Sequence, residues 1–424
     1  MNDHHDLILA EPTILRSAPP VGARRLLAAT GPELAAHIVC HGPLAAATNP
    51  QFLIDSIAAA GLRGRGGAGF PTARKMAAAG AERRPIVIAN GAEGEPESRK
   101  DAVLLARAPH LVLDGLTAAA AAIGAHECHL YATESALQPV RRALSERLAA
   151  GYRGPRVELT AAPETFLSGE KSAVVNGIAG RPALPGDQRM SLSRKGLRGR
   201  PTLVHNVETL AHVALIARYG PHWFRALGTA DEPGTMLVTL SRTTVTGVVE
   251  VPIGSSVLDL IGRSGRTDPA TVRAVLIGGY HGTWIAGTTL RQAALSAAAL
   301  RPLRATPGAG LVRVLPLSEC GLRASADIAT YLAEQSAGQC GPCRNGLPQL
   351  AADLTELAYG RGGGDPAEIA RLAHLVDGRG SCHHPDGTAR MVRSALIAFA
   401  DDVRLHRRGT CQATLAAAGY RSPR

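Results

Sequence analysis

The chain has 424 residues, 45% of them hydrophobic but only 3% aromatic, and a formal charge of +11. That length exceeds one ordinary core and calls for two to four domains, with interiors built from Leu, Val, Ile and Ala. The basic residues are interleaved with acids and form no block with aromatics among them, which argues against nucleic acid and for an acidic protein partner. The N-terminus, Met1-Asn-Asp-His-His-Asp6, is polar and lacks the basic and apolar regions of a secretion signal. The most apolar stretch, Leu111–Ile123, is too short and too alanine-rich for a membrane span. The expectation is a soluble, cytoplasmic protein. Seven cysteines crowd toward the C-terminal end, a pattern that suggests a metal or redox site there rather than a disulfide framework.

In chain order, residues 1–48 read as a loosely ordered lead with one helix near Gly31–Val39, and a helix at Asn49–Ala60 follows. The chain then enters Gly61-Leu-Arg-Gly-Arg-Gly-Gly-Ala-Gly-Phe70, in which five of the first nine residues are glycine. Gly64, Gly66 and Gly69 satisfy G-x-G-x-x-G, a weak signal alone in a chain with 47 glycines. A glycine loop leading into a helix, here Thr72–Ala79, presents free N–H groups to an anion. Pro85–Ala89 is a buried strand. It ends in Asn90-Gly-Ala-Glu-Gly-Glu-Pro96, a loop carrying carboxylates at the strand end where α/β folds bind ligands. Alternating helices (100–106, 110–123, 136–150) and strands (129–132, 157–160) argue for a mostly parallel, helix-covered sheet. Thr165–Gly180 starts as a loop and becomes a helix. Gly180–Arg200 is a long Pro/Gly/Arg-rich excursion, and Asn206–Tyr219 is helical.

Composition shifts near Gly234. Strands at 236–240 and 246–251, a helix at 257–262 and a strand at 275–278 give a ββαβ pattern, the outline of a small β-grasp domain. From Ser318 on, helices at 325–335, 343–359, 365–376 and 387–406 read as a four-helix bundle. Two thiols in Cys340-Gly-Pro-Cys343 and a third at Cys382, beside His383 and His384, are what an iron–sulfur cluster or a zinc ion requires. A thioredoxin-like dithiol needs a strand before it, and these flanks look helical. Ser168-Gly-Glu-Lys-Ser172 lacks a full phosphate-loop pattern, so an NTPase is rejected. Taken singly, Glu93 and Glu95 also read as solvated turn acids, and Asn206 as a helix cap.

Five motifs in order, GLRGRGGAGFPTARKM, IANGAEGEPESRKD, FLSGEKSAV, PTLVHNVETLA and SAGQCGPCRNGL, resemble the FMN-binding 51-kDa-type flavoprotein subunit of NADH:quinone oxidoreductase. Diaphorase subunits of hydrogenases and formate dehydrogenases belong to the same family. The resemblance implies an α/β multi-domain chain: after the 1–48 lead, a Rossmann-like FMN and NAD(P)H domain (49–233), a β-grasp (ubiquitin-like) domain (234–317) and a C-terminal four-helix bundle that binds an iron–sulfur cluster (318–424).

It implies an FMN site made by Gly64, Arg65, Gly66, Gly67, Lys75, Asn90, Glu93, Gly94, Glu95, Phe166, Gly169, Glu170, His205 and Asn206. Phe70 would seat the nicotinamide, and Glu93 and Glu95 would act in catalysis. Cys340, Cys343 and Cys382 would hold a [4Fe–4S] or [3Fe–4S] cluster. Electrons from NAD(P)H would leave to a ferredoxin-like or thioredoxin-like [2Fe–2S] subunit, within a larger redox complex. Departures from the family pattern are Ala92, Lys171 and His205 near the flavin, and Ala337 where the first cysteine ligand belongs. With Lys171, the excursion residues Arg189, Arg194, Lys195 and Arg198 add positive charge that would favour NADPH or a different donor. A fourth cluster ligand would come from His383, His384 or water. The rival readings are a degenerate docking subunit without activity and a zinc or dithiol bundle without a cluster.

Overall fold

The computed structural model describes residues 24–44, 50–186, 190–360 and 364–417. Most of the expected lead, and Arg189, lie outside these. Helices α1 (Leu34–His41), α2 (Pro50–Ala60) and α3 (Thr72–Gly80) precede β1 (Ile86–Asn90). Then come α4 (Lys100–Arg107), α5 (Pro109–Ile123), β2 (Glu127–Ala132), α6 (Glu134–Ala149), β3 (Arg156–Ala161), α7 (Lys171–Ile178), β4 (Thr202–Asn206) and α8 (Val207–Arg225). The four strands form one sheet in the order β3-β2-β1-β4, and every pairing is parallel.

Strand β1 shows why this sheet must be covered on both faces. Its Ile86-Val-Ile-Ala89 run is wholly buried, as a central parallel strand requires. Alternate residues serve opposite layers: Val87 and Ala89 join the core with α2, α3, α5 and α8, whereas Ile86 and Ile88 pack with Val174 and Val175 of α7. Helices α5 and α8 approach so closely that a Cβ at Gly115 would lie 1.8 Å from the Leu210 carbonyl oxygen. Strand β4 departs from expectation, because Thr202–His205 reads in sequence as the lead-in to the helix that Asn206 caps.

The second sheet is five-stranded, with β5 (Thr235–Ser241), β6 (Gly247–Pro252), β7 (Val272–Ile277), β8 (Thr283–Ala286) and β9 (Leu311–Pro316) in the order β6-β5-β9-β7-β8. Short helices α9 (Val257–Asp259) and α10 (Ala297–Leu300) lie in its connections. Only β5 and β9 run parallel; the other neighbours are antiparallel. One face, with Val275, Ile277, Val312 and Val314, packs on Val257, Ile261 and Leu300. The other, with Ala274, Leu276 and Leu315, packs on the C-terminal helices. Those helices are α11 (Gly321–Glu334), α12 (Leu347–Tyr359), α13 (Pro366–Val376), α14 (His384–Ala398), α15 (Ala400–His406) and α16 (Gln412–Ala417). Among the described residues no single helix is long and apolar enough to cross a membrane.

Candidate functional site: a crevice at the sheet edge and a thiol loop beside it

The connections of the first sheet reverse between β1 and β4, and such a switch point opens a crevice beyond the strand ends. Asn90 and Asn206, the last residues of β1 and β4, sit side by side in register there. Asn90 Nδ2 donates to the Gly169 carbonyl at 2.9 Å, and Asn206 Nδ2 donates to the Asn90 carbonyl at 3.2 Å and to Asp101 at 2.6 Å. The Asn206 side-chain oxygen caps α8 through Glu208 N. Three loops distant in sequence are thus tied at one sheet edge.

The glycine loop lies against this edge. A Cβ on Gly66 would come within 3.2 Å of the Asn206 Cβ, so the loop packs on the asparagine. Gly67 and Gly69 adopt φ of +101° and +60°, values that glycine reaches at no steric cost. The main-chain N–H of Arg65 donates to Thr209 Oγ1 at 2.8 Å. Its guanidinium borders a cavity of ≈ 160 Å³ toward the second sheet, lined also by Lys100, Glu208, Glu232 and Leu237. Arg65 and Lys75 are therefore separated. Lys75 Nζ instead donates to the Val204 carbonyl at 2.8 Å. Burial, with the Lys171 ammonium nearby, pushes Lys75 down to about 8. Burial and Lys75 together hold His205 well below its usual range, and His205 Nε2 is buried without a partner. A desolvated amine and an orphaned imidazole nitrogen beside a glycine loop are unsatisfied without an anionic, hydrogen-bonding ligand. The residues present fit a flavin phosphate or the anionic edge of its ring.

Glu93 and Glu95 do not present free carboxylates to the crevice. Glu93 accepts from Ser98 Oγ at 2.6 Å and from the amides of Asp101 and Ala102 at the start of α4. Glu95 reaches the second sheet and accepts from Tyr280 N at 2.8 Å. Burial, offset by the Tyr280 and His281 amides and reinforced by Glu97 and Glu93, pushes Glu95 up to about 8. Both carboxylates are thus held by hydrogen bonds that fix the loop between β1 and α4. Gly94 fits only as glycine, since a Cβ there would lie 2.0 Å from the Phe166 carbonyl oxygen. Glu170 caps α7, accepting from Ser172 N at 2.8 Å. Phe70 is 45% exposed, with the Arg74 guanidinium 5.6 Å from its ring centre.

Sequence pattern does not single out Lys100, although it stands inside one of the five motifs. It is buried, with Nζ 2.7 Å from Asp101 and 3.0 Å from Glu208. Burial opposes its charge, but those carboxylates outweigh it and raise its pKa. Glu208 Oε1 in turn accepts from Leu237 N of β5. This ion cluster fastens the crevice floor to the second sheet.

The sequence matches the family profile described as the Nuo51 FMN-binding domain over residues 57–215, and that of the NADH-ubiquinone oxidoreductase-F iron-sulfur binding region over residues 323–406. It is 31% identical to the F 2 subunit of NADH-quinone oxidoreductase from Rhizobium meliloti (strain 1021), over 82% of this chain and 87% of that one. It is 27% identical to the NADP-reducing hydrogenase subunit HndC of Solidesulfovibrio fructosivorans, over 84% and 76%. The fold superposes on a chain of the NAD+-reducing [NiFe]-hydrogenase in the H2-reduced state with a TM-score of 0.82 and 27% identity, covering 97% of this chain and 72% of that one. The chain belongs to the family of FMN-binding flavoprotein subunits of NADH-quinone oxidoreductases. It is an NADH dehydrogenase-type oxidoreductase subunit with an FMN-binding domain and an iron–sulfur binding region. Because both regions match, this reading prevails over a docking subunit without activity.

The family's iron–sulfur region contains the three expected thiols. Burial raises the Cys340 thiol, but hydrogen bonds from Ser381 and Cys343 outweigh it and bring it below its ordinary value. Cys343, more buried and next to Cys340, is pushed up to about 11. Cys382 is raised by burial, with the Glu170 and Cys340 charges adding to it. The thiols therefore sense one another, and Cys382 senses the cap of α7. Ala337 offers only a methyl group, packed on the helical core. His384 cannot replace the missing thiolate: Nε2 meets the Leu332 carbonyl at 2.7 Å and Nδ1 meets His281 Nε2 at 3.0 Å. His383 is exposed and pairs through Nδ1 with Asp386 at 3.0 Å. The donor set fits a cluster held by three protein thiolates, not four. Cys340 lies in the loop that follows helix α11 rather than a strand, so the thioredoxin-like dithiol context is absent.

Proposed function

We propose that this chain oxidises NADH at an FMN seated in the crevice between β1 and β4, and passes single electrons through a three-thiolate iron–sulfur site to a ferredoxin-like or thioredoxin-like [2Fe–2S] subunit of a larger redox complex. What carries the reading is the pairing of Asn90 and Asn206 under the glycine loop, with Lys75 and the orphaned His205 Nε2 beside it. Bound FMN supplies the conversion from two-electron to one-electron chemistry. The residues of the chain bind and orient it. The Gly64–Gly67 main chain and Lys75 hold its anionic parts, and Gly94, Phe166 and Gly169 form the wall opposite. Glu93, Glu95 and Glu170 fix the three loops, and Phe70 offers an exposed ring for the nicotinamide. The corresponding domains are a Rossmann-like unit (49–233), a β-grasp unit (234–317) and the helical bundle (318–424).

Lys171, Arg194 and Lys195 are exposed basic residues near the nucleotide side, which supports use of NADPH beside NADH; Arg198 contributes less, since it pairs with Glu127 at 3.1 Å. Anaerobic purification with visible spectra before and after NADH or NADPH tests the whole reading. A bleached flavin band is expected, and no flavin would overturn it. Ala337→Cys sharpens the cluster assignment: it should raise iron but not sulfide per chain if the wild-type site is [3Fe–4S], since both cluster types hold the same number of sulfides. An unchanged iron count would assign a four-iron cluster with one non-protein ligand.

A further inference from the structure

The C-terminal region holds a second set of sulfur and nitrogen donors, apart from Cys340, Cys343 and Cys382. Cys320 precedes α11, His406 ends α15 and Cys411 precedes α16. Eighty-six residues separate the first two, yet Cys320 Sγ lies 3.1 Å from His406 Nε2. One ligand atom from each of Cys320, His406 and Cys411 falls within 4.8 Å of the others, and all three residues are buried. We infer that Cys320, His406 and Cys411 bind one divalent zinc-class cation, which staples the segment after α15 to the start of α11.

Four observations carry this. The donor set is two thiols and an imidazole, the soft and borderline ligands that zinc selects. Bond lengths of about 2.3 Å to sulfur and 2.0–2.1 Å to nitrogen place tetrahedral ligand atoms roughly 3.5–3.8 Å apart, a spacing bracketed by the 3.1 Å contact and the 4.8 Å limit of the group. Nε2 is the His406 ring nitrogen that faces the thiols, as a ligating imidazole nitrogen must. Thr414 N donates to Cys411 Sγ at 3.4 Å, a contact that fixes the position of the sulfur. Binding displaces two S–H protons to solvent as two sulfur–metal bonds form, with no change of oxidation state. The occupied site is neutral, as a buried site should be. Nearby Asp402 is committed to Arg273 Nη1 at 3.1 Å and Gln412 N at 2.7 Å, so the fourth position falls to water or a small ligand.

The test is metal analysis of the full chain purified without chelator. Wild type should carry about one zinc beside its iron. Cys411→Ser and His406→Gln should lose the zinc while keeping iron and flavin, whereas Cys382→Ser should lose iron while keeping zinc and flavin. Chelator-treated wild type titrated with Co²⁺ should develop a thiolate-to-cobalt absorption band, which does not depend on any variant folding. Zinc retained in Cys411→Ser, or a Cys320–Cys411 disulfide found by mass spectrometry, would overturn the proposal. So would wild type with neither zinc nor a cobalt band.

Discussion

The crevice and the thiol loop depart from the family pattern in different ways. In the crevice, the resemblance leads one to expect other residues at Ala92, Lys171 and His205, yet the framework is intact. It is made of main-chain contacts, glycine packing and side-chain caps that bond one another, as between Asn90, Gly169 and Asn206. In the thiol loop, each proposed ligand is a side chain with one donor atom, so a single departure such as Ala337 would subtract a quarter of a four-thiolate set. A site built from backbone tolerates substitution around it; a site built from ligand count does not.

The largest expected effect tests the second half of that contrast. Cys343→Ser should remove essentially all iron, while NADH still bleaches the flavin; iron retained at the wild-type level would show that the cluster is held elsewhere. Next is the crevice floor. Lys100→Met leaves Asp101 and Glu208 buried and unpaired, and should destabilise the protein by about 3–5 kcal/mol, measured by denaturant unfolding, with loss of bound FMN. A cost under about 1 kcal/mol would mean that the cluster does not support the floor.

A smaller effect concerns Lys75. Its ammonium is lost as pH rises through about 8 in the free site, and an anionic ligand would restore it. FMN affinity should therefore fall above pH 8, by at most about tenfold per unit. In Lys75→Met it should be weaker but independent of pH; parallel slopes in a binding titration would remove Lys75 from the anion site. A further test concerns Glu95. Its folded-state pKa lies above the unfolded value of 4.5, so the native state holds a proton that the unfolded chain releases, and stability drains as pH rises from 4.5 to about 8. Glu95→Gln should match wild type near pH 4 and melt at a higher temperature at pH 8. Identical profiles would place a charged Glu95 in the folded protein.

Most of the first sheet was legible because its apolar runs, glycines and asparagines carry local signals. Boundaries of β1, β2 and β3 agree with expectation to within two residues. Strands β8 and β9 were not, since short turns and helical fragments separate them and periodicity is lost over so few residues. The hydrogen-bond partners of Glu93 and Glu95 could not be read locally either. Where a carboxylate points depends on where distant amides arrive, and Tyr280 is 185 residues from Glu95. The convergence of Cys320, His406 and Cys411 is likewise a product of tertiary packing. Only the His406-x4-Cys411 spacing hinted at it.

Gly169 and Glu170 are neighbours in the chain. The carbonyl of the first is held by Asn90 in the crevice, and the carboxylate of the second acts on Cys382. Adjacent Cα atoms are about 3.8 Å apart, so the crevice contact and the charge that Cys382 feels start from consecutive residues. An insertion between them would shift one relative to the other, so this segment couples the two sites through the chain itself.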